Sequence, residues 1–286
     1  MRHIHKHSLR VADITRSIDF YQTCLGMTLV SEYRHQGLRC CLLGYVRDSD
    51  STPPTLLELI GTDGFRRLPG TQPAGYWKIA LSVADVDIAR LCLTEKGVEV
   101  TPARQVPDVA YLCHFNDPDG HCIELIQHQF EANHQACQRD GRYPLGGEAV
   151  FSLITYRIKD PQASVAFYQQ LGMRLLSRQD VEFAGFTLYF FGYSDEALPD
   201  ADICAVGNRE WLWQRPYTLI ELQHNWGTEL QDAFAYDVSA DTGFVGTELV
   251  TNESELLALT DRSVADAPVC FDPDGYRIDV RQICVE

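Results

Sequence analysis

The chain has 286 residues, 45% of them hydrophobic and 22% charged, with 40 acidic side chains against 24 basic ones and a formal charge of −16. That balance argues against nucleic acid or an anionic membrane as a partner, and no apolar run approaches the roughly 20 residues of a membrane span. The length allows two cores of ordinary domain size.

The first seven residues, Met1 to His7, lack the apolar stretch of a signal peptide. Ten cysteines are scattered with no C-x-x-C pair. They read as small buried hydrophobes in a reducing compartment, so the expected location is the cytoplasm.

Leu9 and Val11 alternate with Ser8 and Arg10, as in a half-buried strand. Asp13 is placed to cap a helix whose Ile14, Ile18, Tyr21 and Leu25 share one face, and Gly26 ends it before a strand from Met27. Short apolar strands at 39–46 and 55–60 complete a β-α-β-β-β unit. A second unit follows: a strand at 77–83, a helix at 86–96 closed by Gly97, and strands at 98–101, 109–115 and 122–126. Asp117-Pro118-Asp119-Gly120 is a tight turn between the last two.

After a polar linker the plan repeats, with a strand at 151–158, a helix at 161–170 and strands at 173–178, 185–191 and 217–223. An insertion at 194–216 precedes the last of these, and Asp272-Pro273-Asp274-Gly275 repeats the earlier turn. Arg10 to Asp13, Phe20-Tyr21 and Leu25-Gly26-Met27 return as Arg157 to Asp160, Phe167-Tyr168 and Leu171-Gly172-Met173, each 147 positions on. A period of half the chain means duplicated domains. The expected fold is α+β, with four βαβββ modules in two tandem domains: residues 1–130, a linker at 131–147, and residues 148–286.

Glu58, Glu124 and Glu221 each interrupt an apolar strand in a corresponding module position. Period-two alternation turns all three toward one sheet face, which predicts a cavity lined by carboxylates. Lys78, inside another apolar strand, either neutralises them, acts as a catalytic group or lies on the surface. His121, His128 and His134 are not at a compact metal spacing, and no nucleophile-elbow motif occurs.

Leu9 to Met27, Leu56 to Leu59, Ile79 to Val83 and Asp117 to Leu125, with Tyr156 to Met173, Leu219 to Glu229 and Asp272 to Val280, resemble the vicinal-oxygen-chelate (glyoxalase/bleomycin resistance/dioxygenase) superfamily. Within it, the chain is most similar to glyoxalase I. The resemblance implies cupped sheets around a divalent metal (zinc, nickel, manganese or iron), and a four-module chain equivalent to a fused dimer. Two pseudo-equivalent sites would then lie between the halves. The fusion supplies the symmetry partner internally, which favours a monomer with an internal pseudo-dimer.

Carried over residue by residue, the ligand positions fall on Lys6, Glu58, Lys78 and Glu124, then on Leu153, Glu221, Thr247 or Glu248, and Asp279. Crossing the halves gives one site from Lys6, Glu58, Thr247/Glu248 and Asp279, and another from Lys78, Glu124, Leu153 and Glu221. A one-residue bulge would bring His5 or His7 to the Lys6 position and complete a metal site with Glu58 and Asp279. Arg10, Arg157 and Asn225 match residues that hold a carboxylate of glutathione, the implied co-substrate. The expected activity is that of a glyoxalase I-like lyase or isomerase on a small oxygenated substrate or thiol adduct, through metal-assisted proton transfer. In it Glu58, Glu221, Glu124 and Lys78 carry the chemistry. The alternative is a metal-free small-molecule-binding member of the same superfamily.

Overall fold

The computed structural model describes residues 2–46, 53–67, 72–251 and 269–282. The first half runs β1 (His3–Val11), α1 (Ile14–Thr23), β2 (Thr28–His35), β3 (Leu38–Gly44), β4 (Leu56–Gly61), β5 (Tyr76–Val83), α2 (Val86–Glu95), β6 (Arg104–Val106), β7 (Ala110–Asn116) and β8 (Cys122–Gln127). The second runs β9 (Ala149–Ile158), α3 (Pro161–Gln170), β10 (Arg174–Val181), β11 (Phe186–Gly192), α4 (Gly207–Trp213), β12 (Leu219–Asn225), β13 (Phe244–Thr251), β14 (Val269–Phe271) and β15 (Arg277–Gln282). Among the described residues, no helix is long and apolar enough to cross a membrane.

The elements follow from local chemistry. Asp13, Asp85 and Asp160 each turn a carboxylate back onto backbone N–H groups of the first helical turn, satisfying donors that have no partner within the helix. Gly26 and Gly172 end their helices at φ 78° and 76°, in the left-handed region that favours glycine. Residues 98–101 form a single bridge, Val100 to Phe115, instead of the expected strand.

The strands form two sheets, ordered β14-β15-β13-β1-β4-β3-β2 and β10-β11-β12-β9-β5-β8-β7-β6. Each sheet joins a module from one half to a module from the other. The joins are antiparallel pairs, β1 with β13 and β5 with β9. The main core, including Leu9, Tyr21, Leu57, Ile79, Tyr156 and Tyr168, draws on both halves.

The two Asp-Pro-Asp-Gly turns bolt adjacent modules together. Asp117 accepts from the backbone of Asp119 and His121 and from the Tyr21 hydroxyl at 2.9 Å, while Asp119 accepts from Ala12 N and Ser17 Oγ. In the second half Asp272 accepts from Asp274 N, Tyr276 N and Tyr168 Oη, and Asp274 accepts from Lys159 N. Burial is the main reason that the Asp272 carboxyl is pushed up to about 7. A folded-state pKa above the unfolded value stabilises fully at low pH, and that stability is lost as pH rises through about 7. Asp272→Asn keeps the acceptor oxygen without the charge. It is expected to raise the denaturation midpoint at pH 8 and leave it near the parent's at pH 3, below the unfolded carboxyl value, as urea titrations at the two pH values will report.

The insertion at 194–216 holds an element that the sequence did not announce, helix α4. Arg209 is fully buried and fixes that helix through Ser177 Oγ, Arg178 O and Cys204 O at 3.0–3.1 Å. Trp213 donates its indole N–H to Val109 O at 2.9 Å. The helix thereby covers a second apolar cluster that includes Ala80, Leu112, Leu153, Phe190 and Trp213. Cysteines 40, 41, 92, 113 and 270 are buried as expected, but Cys137 and Cys204 are exposed, on segments outside any strand or helix; Cys284 lies outside the described residues.

Candidate functional site

Strand register brings the expected carboxylates into two clusters related by the duplication. In the eight-stranded sheet, Glu221 lies opposite Thr155, Thr155 opposite Lys78, and Ala80 opposite both Leu153 and Glu124. In the other sheet, Glu58 lies opposite Ser8, Ser8 opposite Gly246, and Glu248 opposite both Lys6 and Asp279. The correspondence is therefore Glu221 with Glu58, Thr155 with Ser8, Glu124 with Asp279, Leu153 with Lys6, Ala80 with Glu248 and Lys78 with Gly246. Each pseudo-site holds a lysine, but from a different slot.

The cluster on the eight-stranded sheet is the more enclosed. Lys78, Glu124 and Glu221 are 2%, 4% and 3% exposed. Lys78 Nζ donates to Glu124 Oε1 at 2.7 Å, Thr155 Oγ1 at 3.1 Å and Glu221 Oε1 at 3.3 Å, which engages all three ammonium protons. Thr155 Oγ1 in turn donates to Glu221 Oε1 at 2.9 Å, and His114 Nε2 lies 2.7 Å from Glu124 Oε2.

The electrostatics divide the two carboxylates. Burial works against the Lys78 ammonium, but Glu124 and Glu221 outweigh it and raise its pKa, so it stays protonated. Burial also opposes the Glu124 carboxylate, yet Lys78 and His114 hold it down at about 2. Glu221 is raised, first by burial and then, against the pull of Lys78, by the neighbouring Glu124 charge. Glu124 is thus the fixed anion, and Glu221 is the carboxylate nearer to taking a proton.

These groups line a cavity of about 260 Å³ under α4, walled by Trp77, Leu112, Phe186, Leu188 and Trp213. Trp77 stacks on His114, and the guanidinium of Arg157 lies 4.8 Å from the centre of the Trp77 ring. Arg157 also donates to Ala74 O at 2.9 Å. Burial lowers its pKa, and no carboxylate is paired with it among the described residues. Asn225 donates to the Tyr236 hydroxyl at 2.9 Å.

In the other pseudo-site Lys6 Nζ lies 2.8 Å from Glu58 Oε1 and 3.8 Å from Glu248 Oε2. Glu58 also accepts from Ser8 Oγ at 2.5 Å and from the Tyr33 hydroxyl. Asp279 is held by the Arg277 fork at 2.7–3.2 Å, and a side chain at Gly246 would meet both of them. Glu248 pairs with Arg281 at 3.2 Å. Arg10 reaches Ala240 O at 3.4 Å.

Four expectations need correcting. His7 does not join Glu58: it is fully buried on the opposite strand face, bonded to Thr247 Oγ1 at 2.9 Å among Tyr76 and Phe244, and burial lowers its pKa to about 3. Thr247 shares that core face, so Glu248 is the residue at the site. His5 lies 3.9 Å from Glu248 Oε1 but does not displace Lys6; burial, with Arg281 second, lowers its pKa to about 4. Leu153 stays in the apolar cluster while Thr155, one strand period on, meets Glu221.

Sequence reasoning missed His114, Thr155 and the Trp77–Trp213 walls. His114 lies opposite Glu124 in the β7–β8 register, a pairing that turn position and alternation together predict.

The divalent metal implied by the resemblance does not fit either cluster. An ammonium sits where the carboxylates converge, already supplies their counter-charge, and is not a ligand while protonated. Among the described residues, three possible ligand atoms lie within 4.8 Å of one another elsewhere, on Asp85, His134 and Cys137.

The profile of the Glyoxalase/Bleomycin resistance protein/Dioxygenase superfamily matches residues 3–125. Glyoxalase I of Saccharomyces cerevisiae is 32% identical, over 95% of this chain and 90% of its own length. The lactoylglutathione lyase of Schizosaccharomyces pombe is 27% identical, over 95% of this chain and 93% of its own. The crystal structure of glyoxalase I from Zea mays superposes with a TM-score of 0.68 at 20% identity, covering 98% of this chain and 92% of that one, which shows the shared fold. The chain belongs to the glyoxalase/bleomycin resistance protein/dioxygenase superfamily, as a tandem, glyoxalase I-like member. Its scaffold is one on which lyase and isomerase chemistry is built.

Proposed function

We propose that the chain is a metal-independent, glyoxalase I-like lyase or isomerase whose working site is the Lys78–Glu124–Glu221 cluster. The observation that carries this is a protonatable carboxylate, Glu221, beside a fixed ammonium on the floor of an apolar cavity. Lys78 takes the electrostatic part expected of the metal, holding negative charge that develops on substrate oxygen. Glu221 removes a proton from the hydroxyl-bearing carbon next to a carbonyl and returns it to the former carbonyl carbon, while the hydroxyl proton passes from the first oxygen to the second, so atoms balance without a co-reactant. Arg157, which has no carboxylate partner among the described residues, receives a carboxylate of the substrate. A glutathione thiol adduct has that anion and an apolar body for the cavity.

One observation favours a second reading, binding without turnover: every proton of the Lys78 ammonium is already engaged. Both readings share the cavity and the Arg157 subsite. Titrating an S-alkylglutathione while following Trp77 and Trp213 fluorescence tests that common part. Arg157→Ala is expected to weaken binding by about 10- to 100-fold, the worth of a charged hydrogen bond. Equal affinity in the variant, or no binding to the parent, contradicts it.

A further inference from the structure

Where residues 134–137 pass the start of α2 stands a group of side chains that neither reading uses. We propose that Asp85, His134 and Cys137 bind a zinc-class divalent ion that clasps the linker to the first half of the chain. One ligand atom from each lies within 4.8 Å of the others, with His134 Nε2 and Asp85 Oδ2 at 3.0 Å. The His134 and Asp85 side chains are only 19% and 12% exposed, although His134 belongs to the polar linker.

The donors are complementary in use. Asp85 caps α2 with Oδ1, which accepts from Ile88 N at 2.9 Å, and turns Oδ2 toward His134. The Cys137 sulfur is exposed and makes a long contact of 3.6 Å to Gln135 O, a weak bond to give up. Asp85 and Cys137 also line a cavity of about 240 Å³, where Arg142 is neutralised by Asp140 at 2.6 Å and so does not repel a cation.

The backbone carrying the donors is pinned on both sides. Before it, Asn133 donates to both carboxylate oxygens of Glu210 at 2.9 and 3.0 Å. After it, Arg139 makes a two-pronged pair with Glu95 at 3.0 and 2.7 Å. A site held open in this way loses little freedom when it binds. One sulfur, one imidazole nitrogen and one carboxylate oxygen suit zinc, whereas calcium and magnesium require oxygen-rich sets. Three protein ligands leave a fourth position for water. Binding takes up the thiolate and releases its proton.

The test uses the full chain without a histidine tag, loaded with zinc and desalted. The parent is expected to retain about one zinc ion per chain, and alkylation of Cys137, followed by peptide mapping, to slow about ten-fold because a metal-bound thiolate is withdrawn from reaction. Cys204, the other exposed thiol among the described residues, serves as the unprotected control. Cys137→Ser and His134→Gln are expected to lose the ion, and Glu124→Gln to keep it. Cys137 is a surface residue, so its variant folds. The proposal is overturned if the parent retains no zinc, if Cys137→Ser binds it as well as the parent, or if zinc leaves Cys137 alkylation unchanged. Loss of the ion in Glu124→Gln alone would place it at the pseudo-site instead and contradict the proposal equally. None of these outcomes depends on the activity of the Lys78 cluster.

Discussion

Lys78→Met is expected to lower stability at neutral pH by about 3–5 kcal/mol, the scale on which removing one partner of a buried ion pair acts. The cause is the carboxylates left behind, since Glu124 and Glu221 are 4% and 3% exposed; Glu124 would keep only His114 at 2.7 Å, and Glu221 would have no other cation among the described residues. The pH dependence gives the effect a signature. In the parent, Glu124 is held at about 2, below its unfolded value, so its stabilisation is present above about 4.5 and fades as pH falls toward 2. Without the ammonium, burial raises both carboxylates, and a raised folded pKa stabilises at low pH and loses that stability as pH rises. The gap between parent and variant should therefore narrow from pH 7 to pH 4, as urea titrations across that range will show. A gap that stays constant with pH would mean that lost packing, not unpaired charge, is responsible. Adding Glu124→Gln and Glu221→Gln to Lys78→Met should recover most of the loss, because a neutral cluster has no charge to desolvate.

Glu221→Gln separates turnover from binding. The amide oxygen can still accept from Lys78 and Thr155, so the cluster keeps its shape, but it cannot carry a proton between carbons. With the hemithioacetal of methylglyoxal and glutathione as probe, turnover is expected to fall by about 10²–10⁴-fold with KM nearly unchanged, the usual contribution of a positioned base. Equal rates in parent and variant would remove Glu221 from the chemistry. A parent that binds the S-alkylglutathione and does not turn the probe over would favour the binding reading.

Much of the fold was legible because its signals are local. Asp13 and Asp160 as caps, Gly26 and Gly172 as helix ends, and the two Asp-Pro-Asp-Gly turns each follow from the backbone chemistry of a few residues. Alternation also placed Glu58, Glu124 and Glu221 on the cluster faces, since one strand period fixes which side chain points where. Helix α4 was not legible: its signal is short, and Arg209 makes sense only once Ser177, Arg178 and Cys204 stand around it. The placement of His7 depended on which of two adjacent strand faces meets the cluster, and a register slip of one residue reverses that answer; Thr155 shares a face with Leu153 and is singled out only by its pairing opposite Glu221. The non-equivalent slots of Lys6 and Lys78 needed the pairing of β1 with β13 and of β5 with β9. Strands far apart in sequence set those pairings.

The duplication thus keeps its scaffold residues in step while each pseudo-site acquires its cation independently. That the Lys78 ammonium stands in the metal's place is tested most directly by locating metal in crystals. After a nickel soak, the anomalous difference map of the parent protein is predicted to show no peak between Glu124 and Glu221, with Lys78 Nζ density bridging them. A nickel peak bound by those two carboxylates, with Lys78 swung aside, would contradict it.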